Sequence, residues 1–515
     1  MGTVVTNQGK VLPETIRGYG RVRPYQGVSP SGPQARIQPA RPAGRSGENK
    51  LCTSLDDIFD RVGLKDGMTL SFHHHLRNGD RVMNLVMEAA ARRGVRNIHL
   101  AASGIFPCHE PLIPLMERGV ITKITTSTFN PGPVPKAISA GVLQDPVTFQ
   151  THGGRPRAIQ CGELHIDVAF IAAPTCDKMG NLNGTHGPSA CGYLSYAYAD
   201  AAYASYVVAV TDNLVDYPAC PIEIGQDLVD FVLCVDCIGD PNGIVSGTTK
   251  ITTDPVRLKI ASDTVRLMDL AGYIRSGMSF QTGAGSTALA VAAELEKTMI
   301  HRGLVGSFGV GGIHAYFVHM LEEGIFQKLL DVQCFDLDAV QSAAKDPRHM
   351  CISGSMYANP YCKGCVVDML DVVILGATEI DLDFNINVIT GSDGTIMGAS
   401  GGNSDCAAGA KLTIVVSNLM KKTRCMVKDH VTTVTTPGET VDVLVTDYGI
   451  AVNPRRTDLL QRLAGSSLPL VDIRKLREIG TELGAVEDQP ILTDRIVGVV
   501  EYRDGTVIDL VYQKA

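Results

Sequence analysis

Two hydrophobic rhythms alternate along this chain. Residues 67–72 form a short strand-like run of apolar and small side chains. Val82, Leu85, Val86 and Ala89 then recur at helical spacing over residues 78–94, with Gly94 as the stop, and residues 97–101 return to a strand. The same order comes back as a strand at 277–282, a helix at 288–302 and a strand at 304–308. Alternation of this kind predicts an open, mainly parallel sheet covered by helices.

The two passages also match by residue. Gly67-Met68-Thr69-Leu70-Ser71 is echoed by Gly277-Met278-Ser279-Phe280-Gln281, and Asp167-Val168-Ala169-Phe170-Ile171 by Asp371-Val372-Val373-Ile374-Leu375, at nearly equal offsets. Beyond the second pair the polar residues stay in register: Asp177, Asn181 and Asn183 correspond to Asp381, Asn385 and Asn387. The chain therefore reads as two tandem open α/β domains, at 51–250 and 251–515, joined near residues 243–265 and preceded by a tail at 1–50. The cleft between duplicated domains is the expected place for a small-molecule site.

Composition changes this picture little. At 515 residues, 44% hydrophobic and 19% charged, the chain is long enough for two or three cores and ordinary for a globular protein. Its formal charge of −8 offers no face for nucleic acid. The first 50 residues hold eight Lys/Arg against two acids and are rich in Gly, Pro and Ser, so an extended tail is expected, either disordered or laid over a partner. The 14 cysteines follow an N-terminus without an apolar signal region, which leads to an expectation of reduced thiols and a cytoplasmic protein. The least polar run, residues 304–321, contains four Gly and two His and is no membrane span.

Candidate chemistry lies at strand ends, where open α/β sheets carry their functional loops. After the first strand comes His73-His74-His75-Leu76-Arg77, suited to an anionic ligand; three consecutive histidines cannot all face one metal ion, and no metal is expected. The counterpart loop runs through Gly283 and Gly285. Gly309-Val310-Gly311-Gly312 and Gly398-Ala399-Ser400-Gly401-Gly402-Asn403-Ser404-Asp405 are further glycine-rich loops that could aim N–H groups at an oxyanion or simply permit tight turns. Gly283-x-Gly285-x-x-Ala288 approximates a dinucleotide fingerprint but lacks the acid about twenty residues on. Gly398-x-Ser400-x-Gly402 resembles a nucleophile elbow without a strand to present it. Glu379 and Asp381 follow an apolar strand and serve either as acid and base or as anchors for neighbouring N–H groups. The pairs Cys234/Cys237 and Cys362/Cys365 read as buried thiols in preference to a zinc or redox site.

Taken together, the tandem repeat, Glu379-Ile380-Asp381 with Asn385-Ile386-Asn387, Gly401-Gly402-Asn403-Ser404-Asp405 and Thr446-Asp447-Tyr448-Gly449-Ile450-Ala451 resemble the coenzyme A transferase superfamily, from about residue 50 to the end. Within it, the His73 to Arg77 loop, Phe106-Pro107-Cys108-His109-Glu110-Pro111 and the basic tail are similar to the citrate lyase α-subunit family. The resemblance implies two coenzyme A transferase-type domains. It implies exchange of acetyl for citryl on an acyl carrier protein thioester, with citrate consumed and acetate released. The implied setting is a complex with a lyase β subunit and a γ carrier subunit, this chain being a homo-oligomer within it. No cofactor would be bound directly, since the coenzyme A-like arm belongs to the carrier. Many superfamily members carry the acyl group on a glutamate; residues 307–312 offer no carboxylate, so direct attack of a citrate carboxylate to give a mixed anhydride is implied instead. The site residues expected for that route are Gly311, Gly312, Gly401, Gly402 and Asn403 as oxyanion donors, with Glu379 and Asp381 as catalytic carboxylates. His73, His74, His75, Arg77, Arg155 and Arg455, with Gly283 and Gly285, are expected to bind the substrates. An acetyl coenzyme A hydrolase or transferase for another carboxylate, or a catalytically silent scaffold, is the alternative.

Overall fold

The computed structural model describes residues 2–28, 49–245, 251–283, 285–487 and 490–515. The expected duplication is present strand for strand. In the first sheet the run Val147–Phe149, Ile121–Thr126, Ile98–Ala102, Thr69–Phe72, Val168–Ala173, Tyr206–Thr211, Phe231–Cys234 is parallel throughout. The second sheet repeats the order as His349–Cys351, Phe326–Cys334, Gly306–Ile313, Ser279–Thr282, Val372–Leu375, Leu412–Val416, Val443–Val445.

The repeated residues explain why the halves close in the same way. Gly67 and Gly277 take φ of 82° and 79°, a conformation open to glycine that turns the chain into the central strand. Asp167 Oδ2 then accepts the Thr69 N–H at 2.7 Å, and Asp371 Oδ2 accepts the Ser279 N–H at 3.0 Å. Each half also carries a small three-stranded sheet, in which Thr175–Asp177 pairs with Leu182–Asn183 as Glu379–Asp381 pairs with Ile386–Asn387.

Several expectations are corrected here. The helix after the first strand is Val82–Arg92, begun by Asp80, whose carboxylate accepts from the Val82 and Met83 N–H groups; Leu85 on its predicted apolar stripe is exposed. The glycine-rich run after the helix Ser286–Arg302 is not a loop but lies within the strand Gly306–Ile313, with a bulge between Gly311 and Gly312. Aromatic rings cause this: a Cβ would fall 2.3 Å from the Phe326 ring at Gly306, 2.8 Å from Phe317 at Gly309 and 2.2 Å from Phe335 at Gly312. Glycine lets the rings lie flat on the strand.

Both ends of the chain depart from the expected layout. Residues 2–28 fold into two small hairpins, Thr3–Val5 with Val11–Pro13 and Thr15–Ile16 with Gly20–Arg21. Leu12, Ile16 and Val22 pack against Val499, Val507 and Leu510, and Tyr25 meets the edge of Tyr502 at 4.7 Å. This part of the tail is bound to the chain itself; positions 29–48 lie outside the described residues. The last strands, Leu492–Glu501 and Val507–Lys514, join the first sheet beside Val147–Phe149, so the unit expected to run to residue 515 returns its end to the first domain. At the junction, Pro241–Ile244 is a short 3-10 turn and Pro255–Leu270 a helix, while positions 246–250 lie outside the described residues. The 14 cysteines are free thiols, and no helix of the described residues is long and apolar enough to cross a membrane.

Candidate functional site

The two halves meet along their repeated loops, and one buried carboxylate fastens them. Asp405 accepts from Thr151 Oγ1 at 2.9 Å and from the Gly153 N–H at 2.8 Å, across more than 250 positions of sequence. Beside it the His152 N–H donates to Gly401 O at 2.8 Å, and the Gly401 N–H to Ser127 O at 2.9 Å. Burial raises the Asp405 carboxyl to about 6, against the pull of Arg503 and of the hydrogen bonds it accepts.

Over this seam lies a cavity of about 290 Å³, walled by His152 and Tyr196 of the first half and Gln281, Gly283, Gly312, Gln333, Phe335, Tyr357, Ser400, Gly402 and Asn403 of the second, among others. No Asp or Glu among the described residues lines it. A ring of hydrogen bonds holds one wall: Gln281 Nε2 donates to Tyr357 Oη at 2.9 Å, and Cys406 Sγ lies 3.0 Å from that oxygen and 3.1 Å from Gln281 Oε1. On the opposite side His74 stacks on Tyr196 (4.8 Å between centroids), Phe106 and His152. Gln333 Nε2 fixes the His74 carbonyl at 2.7 Å.

Arg77 is the electrostatic centre of this side. Its guanidinium stands 4.6 Å over the ring of Phe335 and 5.3 Å over that of Phe106, and among the described residues it has no carboxylate partner or side-chain hydrogen bond. Burial lowers its pKa to about 10, which leaves it charged at neutral pH. An unpaired, half-buried guanidinium beside a cavity without acids is a place for an anion.

Some expected site residues do come together: His74 and Arg77 stand behind the wall, and Gly283, Gly312, Gly402 and Asn403 line it. Gly401 is at the seam, with its N–H already committed. Gly311, at φ 111°, bulges the strand toward Gln281, while Gly285 caps the helix Ser286–Arg302. The others serve elsewhere. His73 lies 3.0 Å from Asp200 and His75 is fully buried behind it, its pKa pushed well down by burial and His73. Arg155, expected to bind substrate, gives its terminal nitrogens to Asp200 at 2.7 and 2.8 Å, to Ser71 Oγ and to Ala101 O. Arg455 is on the surface, 3.9 Å from Glu439.

Glu379 and Asp381, expected as catalytic carboxylates, are anchors. Glu379 accepts from Asn387 Nδ2, the Thr432 N–H and Thr432 Oγ1; Asp381 accepts from Asn385 Nδ2 and the N–H groups of Asp383, Asn385 and Val431. Asp177 does the same work in the first half with Asn181, Met179 and Ala219. Glu379→Ala should therefore cost about 1–3 kcal/mol in urea unfolding, by leaving the Asn387 Nδ2 and Thr432 N–H donors without their acceptor, with KM and kcat of the folded variant close to wild type. An inactive, fully stable variant would return Glu379 to chemistry.

The sequence reading missed His152, Tyr196, Gln281, Gln333, Phe335 and Tyr357. Thr151-His152-Gly153-Gly154, just after Val147–Phe149, carried a signal: a histidine beside paired glycines at a strand's carboxyl end.

A duplicated parallel sheet with its cleft at the repeated loops is a coenzyme A transferase-type fold. At the level of fold it matches 4-hydroxybutyrate CoA-transferase of Porphyromonas gingivalis, with a TM-score of 0.53 and 17% identity over 84% of this chain and 98% of that one. The chain belongs to the citrate lyase alpha-subunit family, whose profile matches residues 48–514. The citrate lyase alpha chain of Klebsiella pneumoniae is 45% identical over 508 residues, 98% of this chain and 97% of the relative. The crystal structure of a Streptococcus mutans protein assigned as the citrate lyase alpha subunit, in complex with citrate, has a TM-score of 0.94 and 42% identity, covering 98% of each chain.

Proposed function

We propose that this chain exchanges the acetyl group of an acyl carrier thioester for citryl at the cavity between its halves, releasing acetate. The observation that carries this reading is the unpaired Arg77 guanidinium beside a wall without Asp or Glu. Arginine binds carboxylates in a two-pronged geometry, and its neighbours Phe106 and Phe335 hold the guanidinium plane.

The chemistry is a direct exchange. A citrate carboxylate oxygen attacks the acetyl thioester carbonyl and expels the thiolate, giving a citryl–acetyl anhydride. The thiolate then attacks the citryl carbonyl, and the bridging oxygen departs with acetate. Both tetrahedral intermediates carry an oxyanion, for which the Gly402 N–H and the Ser400 hydroxyl of the wall are the donors, each about a hundredfold in rate. With no carboxylate among the described residues of the wall, a covalent enzyme thioester has no carrier there.

In this reading the thioester arm comes from a separate carrier subunit, and the chain needs no cofactor of its own. The citryl carrier passes to a lyase subunit within a cytoplasmic complex that contains several copies of this chain. The names of its relatives, alpha chains and alpha subunits, support membership of a complex.

Incubation with acetyl coenzyme A and citrate labelled with ¹⁸O in its carboxylates tests the reading. Citryl thioester with ¹⁸O in acetate from a single turnover is the expected result. Unlabelled acetate with label on the enzyme would establish a covalent carboxylate route, and no exchange with either coenzyme A or the carrier would reduce the chain to a scaffold.

A further inference from the structure

Arg77 suits a carboxylate; His152 does not. Its ring is clamped, stacked on His74 with centroids 5.9 Å apart and tilted against Tyr196 at 4.9 Å. Its Nδ1 lies 3.1 Å from Ser127 Oγ, and that hydroxyl is 2.8 Å from Ser103 O, a carbonyl that can only accept. A hydroxyl has one proton, which goes to Ser103 O. Turning it toward His152 would set two oxygen lone pairs against each other at 2.8 Å. The hydrogen on His152 is therefore on Nδ1, and Nε2 presents a bare lone pair.

No donor among the described residues reaches Nε2. It faces the Gly401–Gly402 corner of the cavity: a Cβ on Gly401 would stand 3.7 Å from Nε2, and one on Gly402 would stand 3.5 Å from the ring's Cδ2. Burial, with Arg77 nearby, lowers the ring's pKa to about 3, so the lone pair persists through the neutral range.

A lone pair repels carboxylate oxygens, and the exchange needs no base. Carboxylate and thioester enter, carboxylate and thioester leave, and no proton changes hands. What Nε2 can still do is accept a hydrogen bond from the ligand. We propose that His152 reads an alcohol O–H on the bound carboxylate and so selects a hydroxy-tricarboxylate over its deoxy counterpart. This rests on citrate being the substrate. A ligand without the hydroxyl leaves a desolvated acceptor opposite a methylene, which is the arrangement by which sites discriminate most strongly.

The test compares citrate with propane-1,2,3-tricarboxylate on the full-length chain, by calorimetry and by exchange with acetyl coenzyme A. Wild type should prefer citrate by about tenfold or more in Kd and kcat/KM. His152→Phe keeps the stacked ring without Nε2 and should narrow that preference to about threefold or less, mainly by weakening citrate, while KM for acetyl coenzyme A stays put. His152→Gln, whose Oε1 can accept, should fall between. The inference is overturned if wild type exchanges citrate but binds both ligands alike. It is also overturned if His152→Phe weakens both equally, or if KM rises for acetyl coenzyme A instead, which would give Nε2 to an amide N–H of the thioester arm. If wild type takes up neither tricarboxylate, the citrate reading itself fails and this inference with it.

Discussion

Replacing Arg77 by Ala should raise the citrate concentration for half-maximal exchange about 100-fold, while KM for the acetyl thioester changes less than about threefold. The asymmetry follows from where the charge sits. Among the described residues Arg77 has no carboxylate partner, so its removal strands no buried carboxylate and the fold should tolerate it. Its φ of 51° is no better or worse for Ala. What is lost is the two-pronged grip on a carboxylate and, with it, the orientation of the attacking oxygen. Arg77→Lys should recover only a small part, because an ammonium neither forks nor lies flat on Phe106 and Phe335. Steady-state kinetics with each substrate varied in turn decides it; equal losses on both sides would remove Arg77 from the carboxylate site.

Asp200→Ala should act through stability instead. Asp200 is completely buried and holds two nitrogens of Arg155, itself 2% exposed, with His73 at 3.0 Å and Ser71 donating a short hydrogen bond. Removing the carboxylate leaves the Arg155 charge in the interior without compensation, a loss of about 3–5 kcal/mol that urea unfolding measures. Burial alone would raise the Asp200 pKa, but Arg155 and then His73 outweigh it and hold the carboxyl well below the usual carboxylate range. A depressed folded pKa means a contribution that is fully present above the unfolded pKa of about 4 and fades as pH falls through the folded one. The gap between wild type and Asp200→Asn should therefore be constant from neutral pH down to about 5 and shrink below about 4. A gap that grows on acidification would contradict the ion pair. Arg155→Ala should show the same unfolding defect with KM for citrate unchanged in the folded fraction, separating it from Arg77.

These two arginines show how sequence and tertiary structure divided the information. Both precede or follow strand ends and both are plausible carboxylate binders by residue type. Which one is free depends on whether an acid from a distant element reaches it. Asp200, on the helix Tyr198–Tyr203, reaches Arg155; none among the described residues reaches Arg77.

The duplication, the parallel order of the central strands and the paired turns at Gly67 and Gly277 are determined by the sequence itself. Each rests on local rules, such as the helical or alternating period and a glycine where φ is positive, and the chain states them twice. The Gly401–Asp405 loop was legible for the same reason. The cavity was not. His152, Tyr196, Gln281, Gln333 and Tyr357 come from separate strands and turns, each unremarkable alone, and they meet because Asp405 draws the Thr151–Gly153 turn onto the second half and the rings of His74 and Tyr196 stack between them. The carboxylates that looked catalytic became anchors, and the last two strands crossed to the first sheet, for a common physical reason. A buried polar group or an open sheet edge must find a partner, and the nearest one in space is set by packing over hundreds of residues, which no local pattern records.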